Sequence, residues 1–179
     1  MWRLILRGKR MVTWCLEQVV IGLTAALVLD VLWGVGTRFV LKSPSRWTEE
    51  VATFLLIWVA LLGAAVATGR REHLGVDFLV NKLDPAARRL LAIAAQLVVA
   101  AFASATLIYG GYVLVSATLA ANQLTPALEL PMGYVYLAVP ASGVFILLFS
   151  LEQLAELVTF SVPVSDVASE SAAHPDEAI

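Results

Sequence analysis

Few side chains in this sequence could do chemistry: Asp30 and Glu17 within apolar stretches, His73 and His174 outside them, and a single cysteine, Cys15. A carboxylate inside a bilayer is costly, about 2.5–3.5 kcal/mol for an Asp at mid-helix on insertion scales, so it needs a reason to be there. Asp30 lies about four turns into the first apolar run, nearer its outer end than its centre. It reads as a carboxylate that reaches the interface or pairs within the protein, and a contact with a partner subunit is the functional alternative. Glu17 occupies a place like that of the single membrane carboxylate of a small proton-coupled exporter. It also sits beside a basic N-terminus (Arg3, Arg7, Lys9, Arg10), so an interfacial glutamate near Arg10 is the simpler reading.

The other chemistries lack their residues. A haem-carrying membrane anchor for an oxidoreductase needs axial ligands inside its bundle, and both histidines fall outside the apolar runs. No nucleophile has a base at a suggestive spacing, and there is neither a metal-spaced cluster nor a glycine-rich phosphate loop. The expectation is no enzyme activity, no cofactor, no metal and no nucleic-acid partner. One cysteine permits no internal disulfide, and Trp14 before it does not fit a lipoprotein cleavage site.

The elements that must position these groups follow from composition. Of 179 residues 60% are hydrophobic and the mean hydropathy is +0.84, against the roughly 45–50% apolar content of a soluble domain. Four apolar runs, about residues 14–36, 51–68, 90–115 and 134–151, are long enough to cross a bilayer. Lipid offers no partner for backbone amides, so each run should be helical. Glu17 and Gln18 interrupt what would be the apolar core of a signal peptide, so the first run is expected to stay as an uncleaved helix. Basic residues concentrate at the N-terminus and in the second loop (Arg70, Arg71, Lys82, Arg88, Arg89), which places both termini and that loop in the cytoplasm. The expected fold is an all-α integral membrane protein with four transmembrane helices, N-in and C-in, over residues 1–160. Residues 161–179, rich in Ser, Ala, Asp and Glu, read as a disordered acidic cytoplasmic tail.

The loops carry most of the pattern. In "SPSRWTEEVA", Ser45 or Thr48 can cap the second helix, while Glu49 and Glu50 lie in its first turn, where the helix dipole favours negative charge. Arg46 stands three and four residues before them, at ion-pair spacing, and Trp47 suits the membrane interface. Val76, Leu79, Val80 and Leu83 repeat at helical spacing, which predicts a short interfacial amphipathic helix over about 74–84 on the cytoplasmic surface. Asp84 and Pro85 then form an N-cap and first helical position for the third helix, with Arg88 and Arg89 able to snorkel. The third loop holds two prolines and Glu129. Tyr134 and Tyr136 mark an interface, and Pro140 should kink the fourth helix.

Solute transport by these helices alone is poorly supported. The second has nothing more polar than Thr53 along its apolar length, and the third offers mainly Gln96, Ser104 and Thr106, whereas a secondary transporter gathers polar groups and broken helices at mid-membrane. Small residues are plentiful instead. Gly22 with Ala26, Gly63 with Ala67, and Ala101 with Ala105 have small-xxx-small spacing, which suits packing within the bundle or against another membrane protein.

The segment "TRFVLKSPSRWTEEVATFLLIWVALLGAAVATGRREHLGVDFL" resembles the signature region of the small membrane subunit of TRAP (tripartite ATP-independent periplasmic) transporters, the DctQ-like family. The matching positions are Arg38, Phe39, Pro44, Trp47, Glu49, Glu50, Gly63, Arg70, Arg71, His73 and Asp77. "TPALELPMGYVYLAVPASG" is similar to the family's stretch before and within its last helix, through Thr125, Pro126, Leu128, Pro131, Tyr136 and Pro140. Asp30 and the acidic tail are departures from the pattern. The resemblance implies a non-catalytic scaffold in a bacterial inner membrane, in a system where a periplasmic binding protein captures a carboxylate-type solute. A large membrane subunit then carries that solute inward with sodium by an elevator-like movement. It also implies where partners would touch: Asp30, Arg38, Arg46, Trp47, Glu49, Glu50, Arg70, Arg71 and His73 are the expected contacts with the large subunit or the binding protein. Charges at such a rim guide association more than they add affinity.

Overall fold

The computed structural model describes residues 2–40, 42, 45–70 and 85–159. Among them the chain is helical, with one isolated β-bridge, Leu124 to Pro131. The first crossing is α1 (Trp2–Phe39) and the second α2 (Arg46–Arg70). The third is a continuous rod made of α3 (Pro85–Phe102), a π-helical segment (Ala103–Gly110) and α4 (Gly111–Ala120). The fourth comprises α5 (Met132–Tyr136) and α6 (Ala138–Thr159). Four stretches are long and apolar enough to cross a membrane: Met11–Phe39, Arg46–Arg70, Arg89–Ala120 and Met132–Val158.

Each crossing outruns the apolar run that predicts it. Hydropathy stops at the first charged residue, but the backbone keeps its own hydrogen bonds and stays helical through the interface, with Arg38, Arg70 and Arg89 at the ends. The expected kink at Pro140 takes the form of a one-residue break at Leu137 between α5 and α6. Pro140 has no N–H to give to the carbonyl of Tyr136, the last residue of α5, and helical bonding resumes with Ala141 N–H to Leu137 O at 3.1 Å. The interfacial helix expected over 74–84 and the tail 161–179 lie outside the described residues.

All four crossings contribute to the core, through Leu16 of α1, Leu62 and Ala65 of α2, Ala103 of the π segment, and Ile146 and Phe149 of α6. Because lipid tails are as apolar as leucine, helices in a bilayer associate through close packing and polar contacts rather than through hydrophobic burial. The most enclosed side chains fit that rule: Ala65, Ala103 and Ala138 among the small apolar ones, and Ser142, Ser150 and Thr125 among the polar ones. Close approach is tightest between the third and fourth crossings. A Cβ on Gly111 would sit 2.9 Å from Pro140 Cδ, and one on Gly143 would sit 2.7 Å from Leu107 Cβ. The wide π turn lies at this contact.

The glycines chosen from spacing behave differently. A Cβ on Gly22 or Gly63 would meet nothing within 4 Å, so neither packs within the chain. Among the described residues, helix α1 rests on α2 and makes no comparable contact with another helix, and none of its most apolar stretch is buried.

Candidate functional site: charged groups at the two ends of the bundle

The bundle has two ends. The loop end carries Phe39, the start of α2 and residues 121–131; the other, the arginine end, carries Arg70, Arg89 and the close of α6.

At the loop end, Glu50 does what its neighbours do not. Its Oε1 accepts the N–H of Ala127 at 2.7 Å, and its Oε2 accepts the N–H of Leu128 at 3.1 Å. The carboxylate thus fastens the loop between α4 and α5 to the first turn of α2. The loop is itself a closed hydrogen-bonded unit built on the buried Thr125. Thr125 N–H donates to Leu130 O, Leu130 N–H donates to Thr125 Oγ1 (3.1 Å), and Glu129 N–H donates to Thr125 O. Met132 N–H closes the unit by donating to Gln123 O at 2.9 Å. Asn122 and Glu129 adopt left-handed backbone, with φ of 45° and 53°, and the ladder of bonds around Thr125 holds Glu129 there.

The remaining loop-end charges separate. Arg46 and Trp47 are exposed, and Arg46 forms no ion pair with Glu49 or Glu50 among the described residues. Neither expected cap forms. Thr48 lies inside α2 and its Oγ1 donates back to Ser45 O at 2.8 Å, while Ser45 Oγ is buried with no partner among the described residues. Arg38 and Glu49 instead line, together with Asp30, an open groove of about 210 Å³ between α1 and α2, lined also by Gly34, Thr48 and Ala52. At Gly34 the two helices come close together: a Cβ there would be 3.2 Å from Thr48 Oγ1.

The arginine end is held by three clamps. Glu17 pairs with Arg70, Nε to Oε1 at 2.8 Å, tying α1 to the close of α2. Glu17 is thus an anchored carboxylate, a poor fit to a proton-carrying exporter site; the side chain of Arg10, the partner the sequence suggests, lies outside the described residues. Gln96 Nε2 donates to Gln153 Oε1, and Gln153 Nε2 donates to Thr68 O, both at 2.7 Å and both buried. Thr68 O is among the last four carbonyls of α2, which have no acceptor role inside their own helix. Arg89 serves α6 the same way, its Nε and Nη2 donating to Leu157 O and Val158 O at 3.0 and 3.2 Å. Arg71 and His73 lie outside the described residues.

What this set can do is join helices and present charge. Glu17, Glu50, Arg70, Arg89, Gln96 and Gln153 bridge crossings or fasten a loop, while Asp30, Arg38 and Glu49 line the open groove between α1 and α2. The family model for "Tripartite ATP-independent periplasmic transporters, DctQ component" matches residues 27–160. The chain belongs to the DctQ family. It is 30% identical over 153 residues to the sialic acid TRAP transporter small permease protein SiaQ of Vibrio cholerae, covering 86% of this chain and 87% of that one. It is 34% identical over 103 residues to the C4-dicarboxylate TRAP transporter small permease protein DctQ of Rhodobacter capsulatus, covering 52% and 41%. A third match, 32% identical over 96 residues, is to the isethionate TRAP transporter permease protein DctMQ of Oleidesulfovibrio alaskensis. It covers 54% of this chain and 15% of that protein. Family and fold together make this DctQ component a multi-pass protein of the bacterial inner membrane, from a family of transporter subunits rather than enzymes.

Proposed function

We propose that this chain is the non-catalytic scaffold subunit of a TRAP transporter. It binds the large membrane subunit and supports it during sodium-coupled uptake of a carboxylate-type organic anion delivered by a periplasmic binding protein. Its membrane domain, residues 1–160, has both ends in the cytoplasm, with an interfacial helix over about 74–84 and an acidic tail from 161. The loop end then faces the periplasm, where Arg46, Trp47 and Glu49 are available to the large subunit or the docking protein.

The observation that carries this reading is how the polar groups are used. Gln96, Gln153, Glu17, Arg70 and Glu50 all hold helices or loops of this chain together, so none is left to line a route for a solute. The isethionate relative supports it from another side, since a segment like this chain occupies a small share of a much longer permease. The relatives' names carry three different organic anions, sialic acid, C4-dicarboxylate and isethionate, which fits a subunit that does not choose the solute.

Reconstitution into liposomes tests the proposal. This chain alone should accumulate no organic acid across a sodium gradient, and uptake should appear only with the large subunit and the binding protein. Accumulation by this chain unaccompanied contradicts it.

A further inference from the structure

We infer that the α1–α2 groove around Asp30 is the seat of a cationic side chain, Arg or Lys, carried by a membrane helix of the large subunit. The inference rests on the scaffold reading above and assigns it a place. Asp30 lines the groove, and its Oδ2 is shielded from solvent with no hydrogen-bond partner. Nine residues separate it from Phe39, the last residue of α1, so it lies about 13 Å below the end of a helix that runs through the membrane.

An apolar groove in a membrane protein is ordinarily filled by an acyl chain, so exposure of α1 is no sign of a protein partner by itself. A carboxylate changes that, because hydrocarbon offers no donor and ionisable groups at this depth pair with protein groups or a water-filled cavity. Among the described residues the pairing is not met from within. Arg38 lines the same groove eight residues on, about 12 Å farther along the helix, and makes no ion pair with Asp30. Glu49 adds a second carboxylate. Two acids against one guanidinium leave the groove net negative, which is complementary to a single positive charge. A helix laid against α1 and α2 would cover the groove and bring that charge to Asp30 in a setting where a charge-assisted bond is strongest.

Two measurements on the co-expressed complex in mild detergent test the inference. A photo-crosslinking residue replacing Val35, in the groove, should join this chain to the large subunit, while the same residue at Leu29, on the side of α1 turned away from the groove, should not. Asp30→Asn keeps the shape, removes the charge and breaks no bond within the chain, so the isolated chain should unfold as before. Association with the large subunit should weaken at least about tenfold, the loss of one charged hydrogen bond. The inference is overturned if Asp30→Asn binds as tightly as the parent chain. It is equally overturned if Val35 crosslinks only to lipid or a second copy, or if Leu29 crosslinks to the large subunit in its place. If the parent chain itself fails to bind the large subunit, the scaffold reading has failed. If parent and variant bind equally, only the assignment of the groove has.

Discussion

Replacing Glu50 isolates the fastening of the loop end. Its two oxygens are the acceptors for Ala127 and Leu128 N–H at 2.7 and 3.1 Å. Hydrogen bonds to a charged group contribute about 1.5–3 kcal/mol each. Glu50 is half-buried and the second bond is long, so solvent screening takes each bond below that range, to about 1 kcal/mol, and the pair together contributes about 2 kcal/mol. Glu50→Ala should therefore raise the local opening of these two amides about 30-fold, since each 1.4 kcal/mol is a factor of ten. Glu50→Gln keeps one neutral acceptor, loses about 1 kcal/mol and should give about a fivefold rise. Amide hydrogen exchange resolved to residues 123–131 reads this directly. The turn around Thr125 should keep its protection longer, because its bonds lie within the loop. Unchanged exchange at Ala127 and Leu128 in Glu50→Ala would refute the reasoning and leave the loop held by its own turns alone.

Other substitutions probe the remaining contacts. Gln153→Ala strips buried partners from both Gln96 and Thr68 O and should cost about 2–4 kcal/mol in thermal or chemical unfolding in detergent. Gln153→Glu should be tolerated no better, because it loses the donor to Thr68 O. Gly143→Ala places a Cβ 2.7 Å from Leu107 Cβ and should destabilise by about 1–3 kcal/mol. Gly22→Ala meets open space and should leave the isolated chain at least as stable, since alanine is the better helix former by up to about 1 kcal/mol. Glu17→Gln breaks the pair with Arg70, yet uptake by the assembled transporter should persist; loss of uptake would restore a proton-carrying role for this carboxylate.

The crossings were legible because a bilayer leaves a backbone little choice: any run long enough to cross it must satisfy its amides internally. The break in the fourth crossing was legible for a similar reason, since Pro140 removes one particular donor wherever it sits in a helix. Contacts between distant residues were not. Nothing local in "WTEE" separates Glu49, which lines a groove, from Glu50, which reaches residues 77 and 78 positions away. Glu17 and Arg70 were each conspicuous, but their pairing spans 53 residues and depends on how α1 lies on α2. Small-residue spacing marked Gly22 and Gly63, whereas glycines that allow close packing include Gly69, Gly111, Gly133 and Gly143. Spacing along one helix shows that a smooth face exists and does not say which neighbour meets it. The π segment left no trace at all, since "ASATLIYG" is compatible with an ordinary helix.

The central claim is that this chain works by bracing a larger neighbour. Co-expressing the two membrane subunits, extracting them in mild detergent and purifying through a tag on this chain measures that directly. The account predicts a stable complex containing the large subunit in equal amount. Recovery of this chain by itself, with the large subunit left behind and transporting normally, would contradict it.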